Sequence, residues 1–325
     1  MKRRLVLQAA TLVAGASASG WTAAQQYPSR PIRLVVPWPP GGVTDIVARV
    51  VGEKLQAELG QSVVVENKAG ASGFIGTEHV AKAPPDGYTL LLMTTSTHVV
   101  APNLYRKLPY DPIKDFAPIS QITAAPTIMV TPPDSPHADV AALIAYAKAN
   151  PKKLNYATYG AGGSSQLAAA LFMQAADIEM TPIPYKGSGP ALIGLMGGEC
   201  HVFFDSIPAS LNHVKNGKLK ALAVTSSKRV EAAPEIPTVA ETFPGFEFIV
   251  WQGVEAPAGT PRPVIDRLSA AIIKVMDLPE VKARMNGLGA MAVSSPTPEL
   301  LAQKKLREKD KMGEVIRRAN IGYLD

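Results

Sequence analysis

Short apolar runs alternate along this chain with longer stretches whose apolar residues recur at helical spacing. Ile32–Val36 reads as a strand, and Asp45–Leu59 follows as an amphipathic helix. Ile46, Val47, Val50, Val51, Leu55 and Leu59 share one side of that helix, and Gly60 closes it. Val63–Val65 and Tyr88–Met93 read as the next strands, separated by a Gly-rich loop and a short helix near Thr77–Ala83. A second series begins after the proline-rich stretch Pro102–Pro118. It has a strand near Thr127–Val130, a helix at Val140–Ala149 and a strand at Leu154–Ala157. Ser165–Ala176 and Gly189–Met196 look helical, with short strands at Thr181–Tyr185, Val202–Asp205 and Ala221–Thr225. A loop with Pro234, Pro237 and Pro244 leads to a strand at Phe246–Trp251. Helices then dominate, at Pro263–Met276, Glu280–Asn286 and Pro298–Arg318.

Alternating strands and helices predict an α/β fold. The two series are similar in size, with crossings near residues 124 and 225. The expected division is one discontinuous lobe from 25–124 and 226–325, and a second lobe from 125–225. Two such lobes leave a cleft, and the strand-to-helix loops of both would face it.

Three of those loops are rich in glycine and small hydroxyl residues. The first is Pro37-Trp38-Pro39-Pro40-Gly41-Gly42-Val43-Thr44-Asp45, between a strand and a helix. Glycine lets the backbone approach a ligand closely, Thr44 or Asp45 can cap the helix, and the free N–H groups of its first turn favour an anion. The second is Tyr159-Gly160-Ala161-Gly162-Gly163-Ser164-Ser165, and the third is Tyr185-Lys186-Gly187-Ser188-Gly189-Pro190. An uncharged cluster, Thr94-Thr95-Ser96-Thr97, follows another strand and can line the same cleft. Lys186 is the only basic residue in these loops, so the expected anion contacts are backbone N–H groups around Gly41–Thr44 and Gly162–Ser164, with the hydroxyls of Thr44 and Ser164. Trp38 is placed either at the cleft mouth or in plain core packing. Asp205 closes an apolar strand and either points into the cleft or caps the following helix.

Charge adds an address. Lys2, Arg3 and Arg4 precede an apolar run from Leu5 to Ala18 and small residues at Thr22, Ala23 and Ala24. That is the pattern of an export signal over 1–24, cleaved after Ala24, with Arg3-Arg4 also hinting at twin-arginine export. Its removal lowers the formal net charge from +6 to +3, which leaves little support for a nucleic-acid partner. The basic run Lys304 to Lys311 also holds Glu308 and Asp310, as a solvated helix face does. Cys200 is the single cysteine, so no intramolecular disulfide forms. The reading is a free periplasmic monomer.

Enzyme signatures are missing: no Gly-x-Ser-x-Gly elbow, no Walker loop and no His-Glu-x-x-His helix. The five histidines show no metal-ligand spacing, and neither a metal nor a cofactor is expected. Cys200 beside His201 reads as a small buried residue rather than a nucleophile.

At its loops the sequence resembles the Bug family, extracytoplasmic solute receptors of tripartite tricarboxylate transporters. The resemblance runs through Tyr27-Pro28-Ser29-Arg30-Pro31-Ile32-Arg33, Gly41-Gly42-Val43-Thr44-Asp45, Val63-Val64-Val65-Glu66-Asn67 and Pro85-Asp86-Gly87-Tyr88-Thr89-Leu90. It continues through Leu108-Pro109-Tyr110-Asp111-Pro112, Pro184-Tyr185-Lys186-Gly187, Gly217 to Thr225 and Ala256-Pro257-Ala258-Gly259-Thr260-Pro261. It implies a two-lobed Venus-flytrap fold and capture of a small carboxylate for membrane transporter subunits. The family's binding loops map onto Trp38 to Asp45, including Gly41, Gly42 and Thr44, and onto Ala161, Gly162, Gly163 and Ser164. Thr95, Ser96 and Asp205 also carry over. Trp38 stands where the family more often has Phe, Gln166 where His is common, Cys200-His201 where Val-Asp is common, and Met312 at a frequent Trp. The same pocket also suits a co-receptor presenting its ligand to a sensor ectodomain, while an enzyme acting on a carboxylate is disfavoured because no base and nucleophile pair.

Overall fold

The structure, a computed structural model, describes residues 27–160 and 162–324. The expected export signal over 1–24 and Ala161 of the second glycine turn lie outside the described residues. The first series comprises β1 (Ile32–Val36), α1 (Val43–Leu59), β2 (Val63–Asn67), α2 (Phe74–Ala81), β3 (Thr89–Thr94), a π-helical turn at Ser96–Val100 and α3 (Ala101–Leu104). Next come β4 (Phe116–Thr131), α4 (Val140–Ala149), β5 (Asn155–Thr158), α5 (Ser164–Ala176), β6 (Thr181–Pro184), α6 (Ser188–Met196), β7 (Val202–Ser206), α7 (Ile207–Lys215) and β8 (Lys220–Val224). Then follow β9 (Ile249–Pro257), α8 (Arg262–Asp277), α9 (Pro279–Gly287), β10 (Met291–Ala292) and α10 (Pro298–Arg318).

In the first sheet β2, β1 and β3 run parallel, β3 pairs antiparallel with β9, and β9 pairs antiparallel with the first part of β4. In the second sheet β7, β5 and β6 run parallel, and the last part of β4 lies antiparallel to β7 and β8. β4 belongs to both: Pro126 faces Ile249 of β9, and the next residue, Thr127, faces Ser206 of β7. Each sheet is covered by helices, as two-lobed α/β architecture requires. α1 buries Val47, Val51 and Leu55 with Leu268, Ile272 and Val275 of α8 against the first sheet. α6 and α7 bury Leu192, Leu195 and Leu211 against the second.

Thr225 ties the chain together where the sheets meet. Its hydroxyl accepts from Thr127 N–H at 2.8 Å and donates to Phe248 O at 2.8 Å, while its own N–H and C=O bond Thr127 O and Phe248 N–H. Three segments are thereby held by one buried side chain.

α10 reaches across both halves. Leu301, Met312, Val315 and Ile316 enter a cluster that also holds Met93 of β3 and Phe172 of α5. Gln174 Nε2 of α5 donates to Val315 O at 2.9 Å. Toward the first sheet, Lys305 Nζ donates to Glu255 Oε1 at 2.7 Å with both side chains buried. His98 Nε2 stands 3.0 Å from the other carboxylate oxygen but off the hydrogen-bond line. Burial pushes the Glu255 carboxyl up, yet Lys305 and His98 more than offset it and hold it well below the usual carboxylate range. Burial likewise pushes His98 down, against the pull of Glu255.

Three expectations change. The strand near Thr127–Val130 is the end of the much longer β4, because two register shifts let its polar and proline positions stay paired. The strand expected at Phe246–Trp251 lies later, at Ile249–Pro257, with Glu255 made tolerable inside it by Lys305. The helix expected after Asp205 is α7, with Pro208 in its first turn and Ser206 rather than Asp205 as its N-cap.

Thr225→Val keeps the shape but removes the hydroxyl, and should lower stability by about 2–3 kcal/mol in urea unfolding. Lys305→Met leaves the buried Glu255 charge without its lysine and should cost about 3–5 kcal/mol at pH 7. The depressed Glu255 contributes stability above its ordinary value of 4.5 that is lost as pH falls. The difference between wild type and Lys305→Met should therefore narrow as pH falls from about 5 toward 2.

Candidate functional site

The first glycine loop leaves β1 and enters α1 with Gly42 as its N-cap, which carries no side-chain cap. Gly41 has φ +85, a conformation that favours glycine. Neither Thr44 nor Asp45 caps the helix as expected. Asp45 is buried and folds back: Oδ2 accepts from Gly41 N–H at 2.9 Å and Arg49 Nε at 3.0 Å, and Oδ1 accepts from Asn67 Nδ2 at 2.9 Å. Asn67 Nδ2 also reaches Trp38 O. The Arg49 hydrogen bond, with those from Gly41 and Asn67, outweighs burial and holds the Asp45 carboxyl down at about 2. Asp45 therefore shapes the loop and has no charge to spare for a ligand.

The helical ladder of α1 begins with Ile46 N–H donating to Gly42 O, so the amides of Val43, Thr44 and Asp45 precede it as open donors. Thr44 Oγ1 accepts from Gln252 Nε2 of β9 at 3.1 Å, which leaves its hydroxyl hydrogen available. Trp38 is half-buried, with its Nε1 enclosed and without an acceptor. Its ring lies over Gly73, where a Cβ would come within 3.3 Å of the indole and 2.9 Å of Thr97.

Thr95 and Ser96 part company. Thr95 is buried, and its hydroxyl both donates to Trp251 O and accepts from Trp251 N–H, each at 2.8 Å. It pins β9 beside Gln252. Ser96 is exposed.

In the second lobe, β5 ends at Thr158 and α5 begins at Ser164, N-capped by Gly163 with no side-chain cap. Gly162 N–H donates to Gln166 Oε1 at 2.8 Å, and Gly163 N–H to Gly160 O. These two amides, like that of Gly41, are engaged internally. The open donors lie one turn on, at Ser164, Ser165 and Gln166, before Leu167 N–H closes the ladder on Gly163 O. Gln166 thus braces its own loop.

Asp205, fully buried at the end of β7, neither caps α7, whose N-cap is Ser206, nor stands free in the cleft. It accepts from Tyr159 OH, from Ser188 Oγ at 2.8 Å and from Ser210 Oγ at 2.7 Å. Burial and the Asp205 charge push the Tyr159 phenol far up. Asp205 thereby joins the second glycine loop to the third. Lys186 in that third loop is exposed.

The structure gathers Trp38, Gly41, Gly42, Thr44 and Asp45 around the N-terminus of α1, with Thr95 beside them through β9. Gly162, Gly163, Ser164 and Asp205 gather around α5. The second group packs on the first series of elements at Gly162, whose added Cβ would meet Leu104 of α3. Gln252 was missed because a lone polar residue between Trp251 and Gly253 carries no motif. Its only signal is polarity in a strand where Glu255 is the one other polar side chain. Cys200 is buried, and burial pushes its thiol up to about 11, which does not suit a nucleophile.

Two sheets sharing a strand, with open helix N-termini at the loop ends of each, define the two-lobed fold of periplasmic binding proteins. The chain belongs to the tripartite tricarboxylate transporter family of receptors, whose model matches residues 47–321. Protein BugT of Bordetella pertussis is 39% identical over 298 residues, covering 91% of each chain. Two solved structures carry ligands in their names. One is Rpa4515 of R. palustris with adipate, 34% identical with a TM-score of 0.75, covering 92% of this chain and 100% of that one. The other is MatC of Rhodopseudomonas palustris with bound malate, 34% identical with a TM-score of 0.70, covering 89% and 100%.

The internal role of Asp45 is open to titration. Because its carboxyl is depressed to about 2, the stability it contributes is present above the ordinary value of 3.8 and lost as pH falls through 2. Thermal unfolding of wild type and Asp45→Asn should differ at pH 6 and converge toward pH 2. Asp205→Ala leaves three hydroxyls without their acceptor and should lower stability by at least about 3 kcal/mol at pH 7, read by urea unfolding.

Proposed function

We propose that this chain captures a small organic carboxylate between its lobes, in the periplasm, and delivers it unchanged to the membrane subunits of a tripartite tricarboxylate-type transporter. The observation that carries this reading is the pair of long helices, α1 and α5, each N-capped by glycine with no side chain on the cap. Open amides at a helix N-terminus, aided by the helix dipole, suit a carboxylate. Asp45 and Asp205, the acids nearest these ends, are turned inward onto protein donors and do not compete for them. The adipate and malate named in related structures belong to the same chemical class. No paired base and nucleophile accompanies the open amides, which supports binding without chemistry.

The lobes we propose are 25–124 with 226–325, and 125–225. The hinge falls where β4 changes partners and where Thr225 meets Phe248. Closure on the ligand brings the α5 end toward the α1 end.

Calorimetry against carboxylates that raise the melting temperature tests the site. Thr44→Ala and Ser164→Ala should each weaken binding by about ten- to a hundredfold, since hydrogen bonds to charged groups contribute roughly 1.5–3 kcal/mol. Lys186→Ala should matter less. Loss of binding in Lys186→Ala alone, with both hydroxyl variants at full affinity, would place recognition on the lysine instead. Small-angle scattering should show compaction at saturating ligand, and an unchanged radius would refute hinge closure.

A further inference from the structure

We infer that Gln252 is a specificity-determining residue, selecting carboxylates that carry a hydroxyl beside the carboxylate group. The inference rests on the proposed carboxylate site at the α1 N-terminus. Gln252 lies on β9 between Thr94 of β3 and Thr123 of β4. Its predecessor Trp251 is held at both its N–H and its C=O by Thr95, so the backbone that presents Gln252 is fixed. From there the side chain reaches across to α1, where Nε2 donates to Thr44 Oγ1 at 3.1 Å.

That bond settles what the other half of the amide does. Oε1 shares a carbon with Nε2, so it sits beside the first turn of α1, and it is buried with no donor. A buried acceptor without a partner is unfavourable, and sites built this way discriminate strongly for the ligand that satisfies them. The groups still open at this end are donors: the amides of Val43, Thr44 and Asp45, and the Thr44 hydroxyl, whose oxygen is already engaged. A carboxylate satisfies donors but offers no hydrogen to Oε1. A hydroxyl on the neighbouring carbon does. The two complementary halves of a hydroxycarboxylate therefore match the two kinds of group present. The reversed amide, with Thr44 donating to Oε1, would aim the Nε2 hydrogens at the ligand and favour carboxylates without a hydroxyl.

Calorimetry on matched pairs separates these outcomes: succinate and malate, glutarate and 2-hydroxyglutarate, propionate and lactate, phenylacetate and mandelate. Wild type should bind the hydroxylated member of any binding pair roughly tenfold or more tightly. Gln252→Met should bring the pair within about twofold, mainly by weakening the hydroxylated member. If that variant unfolds, Gln252→Asn withdraws the same amide by one methylene and serves the same comparison. Thr44→Val removes the anchor of the Gln252 amide and should weaken both members while shrinking their ratio. Equal affinities in wild type, or a ratio unchanged in a folded Gln252 variant, overturn the selector role while leaving the carboxylate site standing. Wild type that binds neither member of any pair overturns the carboxylate reading and this inference with it.

Discussion

A single strand shared by two sheets constrains everything else in this molecule. β4 pairs with β9 up to Pro126 and with β7 and β8 from Thr127 onward, so the lobes are joined by continuous backbone rather than by a loose linker. Its partner in that role is Thr225, which bonds β4 and the entry to β9 through one buried hydroxyl. With the sheets fixed in this way, the loops that leave β1 and β5 end on helices whose N-termini carry no side-chain cap. The position of the open donors is thus a property of the sheets, and the loops only deliver it.

Two buried carboxylates make those loops rigid. Asp45 gathers Gly41, Arg49 and Asn67, while Asp205 gathers Tyr159, Ser188 and Ser210. The arrangements are equivalent in logic though different in partners: one acid per lobe accepts local donors and removes itself from contention for the ligand. Residues that look like ligand contacts by type are thus bonded within the protein. Thr95 does the same with Trp251, and Gln166 with Gly162.

The alternation of strands and helices was legible in the chain, as were the glycine turns, because both depend on local pattern. β4 was harder to read: Pro118, Ser120, Gln121, Thr123 and Pro126 interrupt its apolar pattern, and only pairing with β9 through two register shifts makes it one strand. Glu255 hid the end of β9 for a similar reason, since its partners Lys305 and His98 are distant in sequence. The glycine loops were legible as turns before helices, but the bonds within them were not. Whether Asp205 faces a ligand or three hydroxyls depends on where Tyr159, Ser188 and Ser210 lie, and none of them is within its own strand.

The inward turn of these acids bears on how such a receptor acquires a new cargo. The side chains that hold the loops, Asp45, Asn67, Thr95 and Asp205, are bonded within the protein, whereas Val43 and Ser96 stand exposed at the loop ends. If the proposed site is right, substitution at the exposed positions would alter what a ligand meets without removing a bond the fold relies on. Drift in ligand preference is therefore decoupled from loss of folding, and a lineage built on this scaffold can explore new solutes while its scaffold residues stay unchanged.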